Sequence, residues 1–171
     1  MAKGLVSSSQ EPSGMPVKLK FSLIGRSYFL FVSGHSSTGS TCFIGIDAES
    51  GEILAIREWI LRTNVDNISS DLTKLGEEIN KLKSLQHDTL VKYVDMTYCN
   101  KDCDKEEVSV YIAQEFVMGS SFVNLVSHSF HLQLVRHVAT EILKALQYLD
   151  QHQRQHEDLQ LAHVFLDRSG T

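Results

Sequence analysis

Ile53-Leu54-Ala55-Ile56-Arg57-Glu58-Trp59 reads as a strand, and the rest of the chain is read outward from it. Glu49-Ser50-Gly51-Glu52 precedes it with turn chemistry, and residues 42–48 read as its antiparallel partner, so the two form a hairpin. Further upstream, residues 18–32 read as one or two strands and 34–41 as a flexible turn. Downstream, from Asp71, the period changes. Leu72, Leu75, Ile79, Leu82 and Leu85 recur at three and four residues, which predicts one apolar helix face, with Ser69 or Ser70 as its cap. Residues 90–97 and 108–116 are again strand-like, separated by a charged loop over 99–107. Met118-Gly119-Ser120-Ser121 then breaks the strand, a short helix follows over 122–126, and a long one over 133–151. Val135, Val138, Ile142, Leu146 and Leu149 give the long helix an apolar stripe. Past it comes His156-Glu157-Asp158-Leu159-Gln160-Leu161-Ala162-His163-Val164-Phe165-Leu166-Asp167, rich in groups that bear chemistry.

Composition removes several classes of function. A net charge of −5 leaves no basic footprint for nucleic acid, and the Lys and Arg residues are scattered. No apolar run reaches the 18 or so residues that a membrane span needs, and the first 18 residues carry no signal-peptide core, so the cytoplasm is the expected compartment. Cys42, Cys99 and Cys103 are odd in number and give no disulfide framework. Cys99 with Cys103 has no second ligand pair for structural zinc, and His152 with His156 has no third ligand in register. Residues 34–41 imitate a phosphate-binding Gly-x-x-x-x-Gly-Lys-Ser/Thr loop, but Ser40 replaces the Lys and a strand, not a helix, follows.

The ordered series of strand, helix-borne Glu78 and His-x-Asp loop resembles the protein kinase family over residues 30–171. Gly51 lies six residues before Arg57, Glu78 nine before His87, and Tyr148 ten before Asp158, as the family's third strand, helix C and helix E require. The resemblance implies an α+β fold: a kinase-like N-lobe of about five antiparallel strands plus helix C over 18–117, after a disordered leader over 1–17. Residues 118–171 would then be the hinge and the start of a truncated helical C-lobe, since a complete kinase domain runs to about 250 residues. Glu58-Trp59 and Leu90-Val91-Lys92-Tyr93 look most like the kinase-like domains that precede the catalytic domain in amino-acid-starvation kinases of translation initiation factor 2 alpha.

Carried over residue by residue, the family's machinery is depleted. Phosphoryl transfer needs a cation on the nucleotide phosphates, oxygen ligands on magnesium, a base for the hydroxyl and a Gly-rich turn whose amides approach phosphate. Arg57 replaces the strand Lys; a planar guanidinium prefers a bidentate carboxylate, so the resemblance implies a structural ion pair with Glu78 rather than a nucleotide contact. Gly34 and Gly39 stand where the family has three close glycines, and Ser37, Thr38 and Ser40 crowd the turn. Ala55, Gln114, Glu115, Phe116 and Val117 fall at the adenine-facing, gatekeeper and hinge positions. Asp158 occupies the base position as a vestige. Gln160 replaces the Lys that neutralises the transferring phosphate, forfeiting about 2 to 4 kcal/mol of transition-state stabilisation. His163 replaces the magnesium-binding Asn, and an imidazole is a poor ligand for a hard cation. Glu157 inverts the charge that grips an activation-loop phosphate in many kinases.

The expected function is therefore that of a pseudokinase: a regulatory binding module for a catalytic kinase domain, in cis or in trans, in translational control under amino-acid starvation. The alternative is a residually active or ATP-binding serine/threonine kinase fragment. No cofactor is expected, ATP with magnesium binding weakly at most, and neither nucleic acid nor membrane is a partner.

Overall fold

The computed structural model describes residues 17–20, 25–35, 41–62, 65–99, 107–125 and 132–167. The expected leader, apart from Val17, and Gly39 of the Gly-rich turn lie outside the described residues. The chain divides into two compact units, one of Met1–Leu85 with Lys92–Phe116 and one of Gln86–Val91 with Val117–Thr171.

The first unit is built on the hairpin of β3 (Thr41–Asp47) and β4 (Ile53–Arg62). Its turn is fixed by Asp47, whose carboxylate accepts the backbone N–H groups of Glu49 at 2.8 Å and Ser50 at 2.6 Å. These bonds to the ionised form hold the Asp47 carboxyl below the usual range, the Ser50 amide contributing most. Gly51 closes the turn at φ 73, a left-handed conformation that only glycine adopts without cost. Arg26 pairs with Glu52 beside it.

Around the hairpin, β1 (Val17–Lys20), β2 (Ser27–His35), β5 (Tyr93–Cys99) and β6 (Glu107–Glu115) complete an antiparallel sheet in the order β1-β2-β3-β4-β6-β5. The five strands expected are present as β2 to β6, and β1 adds a sixth at the edge. β6 lies between β4 and β5, and its run Val108-Ser109-Val110-Tyr111-Ile112-Ala113 is buried throughout. A strand covered on both faces can be apolar at every position instead of alternating.

The alternation of side chains sorts the core into two clusters on opposite faces of the sheet. Tyr28, Leu30, Leu54, Ile56, Tyr111 and Ala113 form one. Val108, Val110 and Ile112 form the other with Leu72 and Ile79 of α1 (Val65–Lys83), and Ile68, Leu75 and Leu82 pack against it. Burying Leu72 and Ile79 is worth about 1.5–3 kcal/mol each. The helix begins six residues before Asp71, so Ser69 and Ser70 lie inside it rather than at its cap. The reason is Ile68, one turn before Leu72, which carries the apolar face back past the two serines. Ser69 offers its carbonyl to the Thr73 hydroxyl instead.

In the second unit β6 has already ended at Glu115, so Phe116 is not part of it, and Gly119-Ser120-Ser121 is no mere break. It forms β7 (Gly119–Ser121), paired antiparallel with β8 (Phe165–Asp167). A Cβ on Gly119 would collide with the carbonyl oxygen of Leu166 and lie 2.8 Å from its carbonyl carbon, so the close pairing requires glycine. α2 (Phe122–Leu125) and α3 (Leu132–Gln151) follow. Of the five residues in the expected α3 stripe only Leu149 is buried; Ala145 joins it, and Val135 is exposed.

Residues 86–91, expected within the first lobe, belong to this second unit. The Tyr148 hydroxyl on α3 accepts the Gln86 amide at 2.9 Å, and the His87 ring lies against Tyr148 at 5.1 Å between centroids. β5 consequently starts at Tyr93, not at Leu90, whose amide bonds to the His87 carbonyl in a turn. Among the described residues no helix is long and apolar enough to cross a membrane.

Candidate functional site

The candidate residues fall on both units. In the first, the β4 to β6 register sets Ala55 opposite Gln114 and Arg57 opposite Ile112. Because Ile112 packs against α1, the alternation puts Ala55, Arg57 and Gln114 on the helix-bearing face. Their neighbours Leu54, Ile56 and Glu58 point the other way, where Glu58 accepts the Tyr111 hydroxyl at 2.8 Å.

Glu78 lies on α1 next to the buried Ile79 and pairs with Lys81 at 2.6 Å. No ion pair between Glu78 and Arg57 is among the described contacts. Lys81 is three residues along the same helix, so pairing with it requires little ordering, whereas Arg57 would have to be held across from the sheet. Glu115 ends β6 with its amide bonded to the Lys92 carbonyl at 2.9 Å. Gly34 lies in β2 next to an irregularity in its register with β3, opposite Cys42.

In the second unit Asp158, Gln160 and His163 close on one another. The Gln160 Nε2 donates to both Asp158 carboxylate oxygens, at 3.2 and 3.3 Å. His163 Nδ1 is 2.9 Å from the Asp158 carbonyl oxygen, which only accepts, so that nitrogen carries the proton. The same nitrogen is 3.4 Å from Asp158 Oδ2. His163 belongs to a single 3-10 turn, Leu161–His163, whose tight winding folds it back toward Asp158. Glu157, directly before Asp158, has φ 62, and the Asp158 amide bonds to the His156 carbonyl at 2.7 Å. That bond spans two residues and makes Glu157 the centre of a γ-turn, a strained conformation for a residue with a side chain. Val117 offers its carbonyl to the Gly119 amide at 3.1 Å at the entry to β7.

Taken one position at a time, the sequence presents the replacements at 160 and 163 as separate losses. Their spacing of two and five residues from Asp158 around a tight turn is the signal that they meet. The γ-turn at Glu157 and the anchoring of Gln86 and His87 on Tyr148 carry no signal in residue type. Among the described residues no group of three or more His, Cys, Asp or Glu gathers as a metal site would require.

An antiparallel sheet carrying one helix between β4 and β5, followed by a His-x-Asp loop, defines a protein kinase-type fold. The chain belongs to the protein kinase family: the family model of the protein kinase domain matches residues 34–171. It is similar to mitogen-activated protein kinase kinase kinase 2 of Arabidopsis thaliana, 28% identical over 156 residues, covering 88% of this chain and 21% of the relative. Mitogen-activated protein kinase kinase kinase YODA of the same plant is 29% identical over 75% of this chain and 14% of its own length. The kinase bck1 of Aspergillus fumigatus, of the same kinase kinase kinase class, is 25% identical over 97% of this chain and 10% of its own length. The chain thus spans about a fifth or less of these relatives.

Proposed function

We propose that this chain is a catalytically degenerate kinase domain, a pseudokinase, that works by contact as a regulatory module for a catalytic kinase domain in the same or a partner chain. The observation that carries this reading is the mutual engagement of Asp158, Gln160 and His163. The Asp158 side chain is 71% exposed, so what has changed at the base position is its partner: both carboxylate oxygens meet a neutral amide where the family has a cation. Gln160 brings no positive charge to offset a transferring phosphate, and the His163 nitrogen nearest Asp158 is committed as a donor to a carbonyl. Arg57, in place of Lys, adds a third departure.

The setting in translational control under amino-acid starvation, in the cytoplasm, rests on Glu58-Trp59 and Leu90-Val91-Lys92-Tyr93. Trp59, 45% exposed next to a Glu58 engaged with Tyr111, is available for contact with a partner. The test is binding of the purified chain to the catalytic domain of an amino-acid-starvation kinase, measured by calorimetry beside a mitogen-activated kinase kinase kinase catalytic domain. Saturable binding to the first that Trp59→Ala weakens supports the reading; no binding to either removes it.

A second reading, ATP binding without turnover, is favoured by one feature: Arg57 lies with Ala55 and Gln114 on the helix-bearing face of the sheet, where its guanidinium could meet an anion. Thermal stabilisation by ATP that is lost in Arg57→Ala would select that reading.

A further inference from the structure

The segment Gln86–Val91 carries an imidazole-centred clip that the proposed activity does not use. His87 Nδ1 is 3.2 Å from the Thr89 backbone nitrogen, which donates, and 2.9 Å from the Thr89 hydroxyl. A backbone N–H can only donate, so this bond exists only while Nδ1 keeps its lone pair, with the ring neutral and its proton on Nε2. The turn it closes is tied to α3 twice, by the Gln86 amide on the Tyr148 hydroxyl and by the His87 ring on the Tyr148 ring. A second imidazole also packs on Tyr148. His152 lies 4.2 Å from Tyr148 between centroids, with Nδ1 2.8 Å from the Tyr148 carbonyl.

We propose that His87 makes the Gln86–Val91 turn, tied to α3, a proton-sensitive clip that holds the Thr89 amide when the ring is neutral and releases that amide when the ring is charged. An imidazole ordinarily changes charge between about pH 5 and 8, the window in which the test is made. A charged ring has two N–H donors and no acceptor, so the Thr89 amide loses its partner and the two N–H groups oppose each other, while the Thr89 hydroxyl turns to accept from Nδ1–H. Asp88 follows His87 on its own turn, and on α3 Glu141 feels the charge of the His87 ring. Glu141 is held below the usual carboxylate range by the Lys144 hydrogen bond first, with the charges of His137 and His87 adding to it. It stays ionised through the window and gives the charged ring a counter-charge without restoring the bond to Thr89. His152, bonded through Nδ1–H to a carbonyl, keeps that bond in either charge state and so does not act as the trigger.

Amide hydrogen exchange on the intact chain at pH 7.5 and pH 5.5, corrected for intrinsic rates, tests this directly. The Thr89 amide should lose protection roughly two- to tenfold at the lower pH, the loss of about one hydrogen bond, while amides in β6 keep theirs. In His87→Asn the side-chain oxygen accepts the Thr89 amide at either pH, and the pH dependence at Thr89 should vanish. Equal protection of Thr89 at the two pH values in the unaltered chain would overturn the proposal, as would the same pH dependence in His87→Asn.

Discussion

Glu157 occupies a left-handed position at φ 62 directly before Asp158, and Gln153 does the same at φ 55 past the end of α3. Such a conformation costs a residue with a Cβ about 1–2 kcal/mol, part of which glycine would relieve. Glu157→Gly is expected to raise the melting temperature by about 1 to 4 °C, while Glu157→Ala leaves it unchanged; calorimetric scans of the two variants distinguish strain from a role of the carboxylate. At Asp47 the concern is acid. Its carboxyl is depressed in the folded chain by the Ser50 and Glu49 amides, so the stability it contributes is present above the ordinary carboxylate pKa near 3.9. That contribution is lost as pH falls through the lower folded value. Asp47→Asn keeps an oxygen for both amides but cannot titrate, so its urea midpoint should fall less steeply between pH 5 and 2 than that of the unaltered chain.

At the scale of elements, the end of α3 forms a Schellman motif around Gln153. The Arg154 amide reaches back to the Leu149 carbonyl and the Gln153 amide to that of Asp150, both at 2.9 Å. Glycine is the usual residue at that position, so nothing in Gln151-His152-Gln153 announces the stop. The strands and α1 were legible because their apolar positions repeat at two or at three to four. The cap of α1 was not, because Ser69 and Ser70 resemble a cap while Ile68 extends the buried face past them. Gly119-Ser120-Ser121 has turn composition and yet pairs with β8, since a partner strand 44 to 48 residues away is invisible to local pattern. Gly119→Ala should destabilise the chain by about 1–3 kcal/mol, because the obstacle is backbone at Leu166 rather than a movable side chain; denaturant unfolding measures it.

At the scale of the whole molecule, two units carry the candidate residues, and the replacements on which the proposed loss of catalysis rests lie in both. Arg57 and Glu78 in the first, and Asp158, Gln160 and His163 in the second, are assigned by spacing, and their types are what the proposal of weakened phosphate and metal binding rests on. Which of them touch was not legible: Glu78 takes Lys81, and Gln160 and His163 take Asp158, because short-range partners compete with those across the fold. α3 also leaves Leu132 63% and Leu143 65% exposed. Such side chains favour association, so Leu143→Lys should lower the scattering mass of concentrated samples without lowering the melting temperature.

The central claim, that the kinase chemistry has been dismantled, is tested most directly by transfer of radiolabelled phosphate from magnesium ATP to a general protein substrate. The chain should transfer no more label than its own Asp158→Ala variant. Label above that variant, dependent on magnesium, would mean that Asp158 still serves as a base despite Gln160 and His163, and would contradict the account.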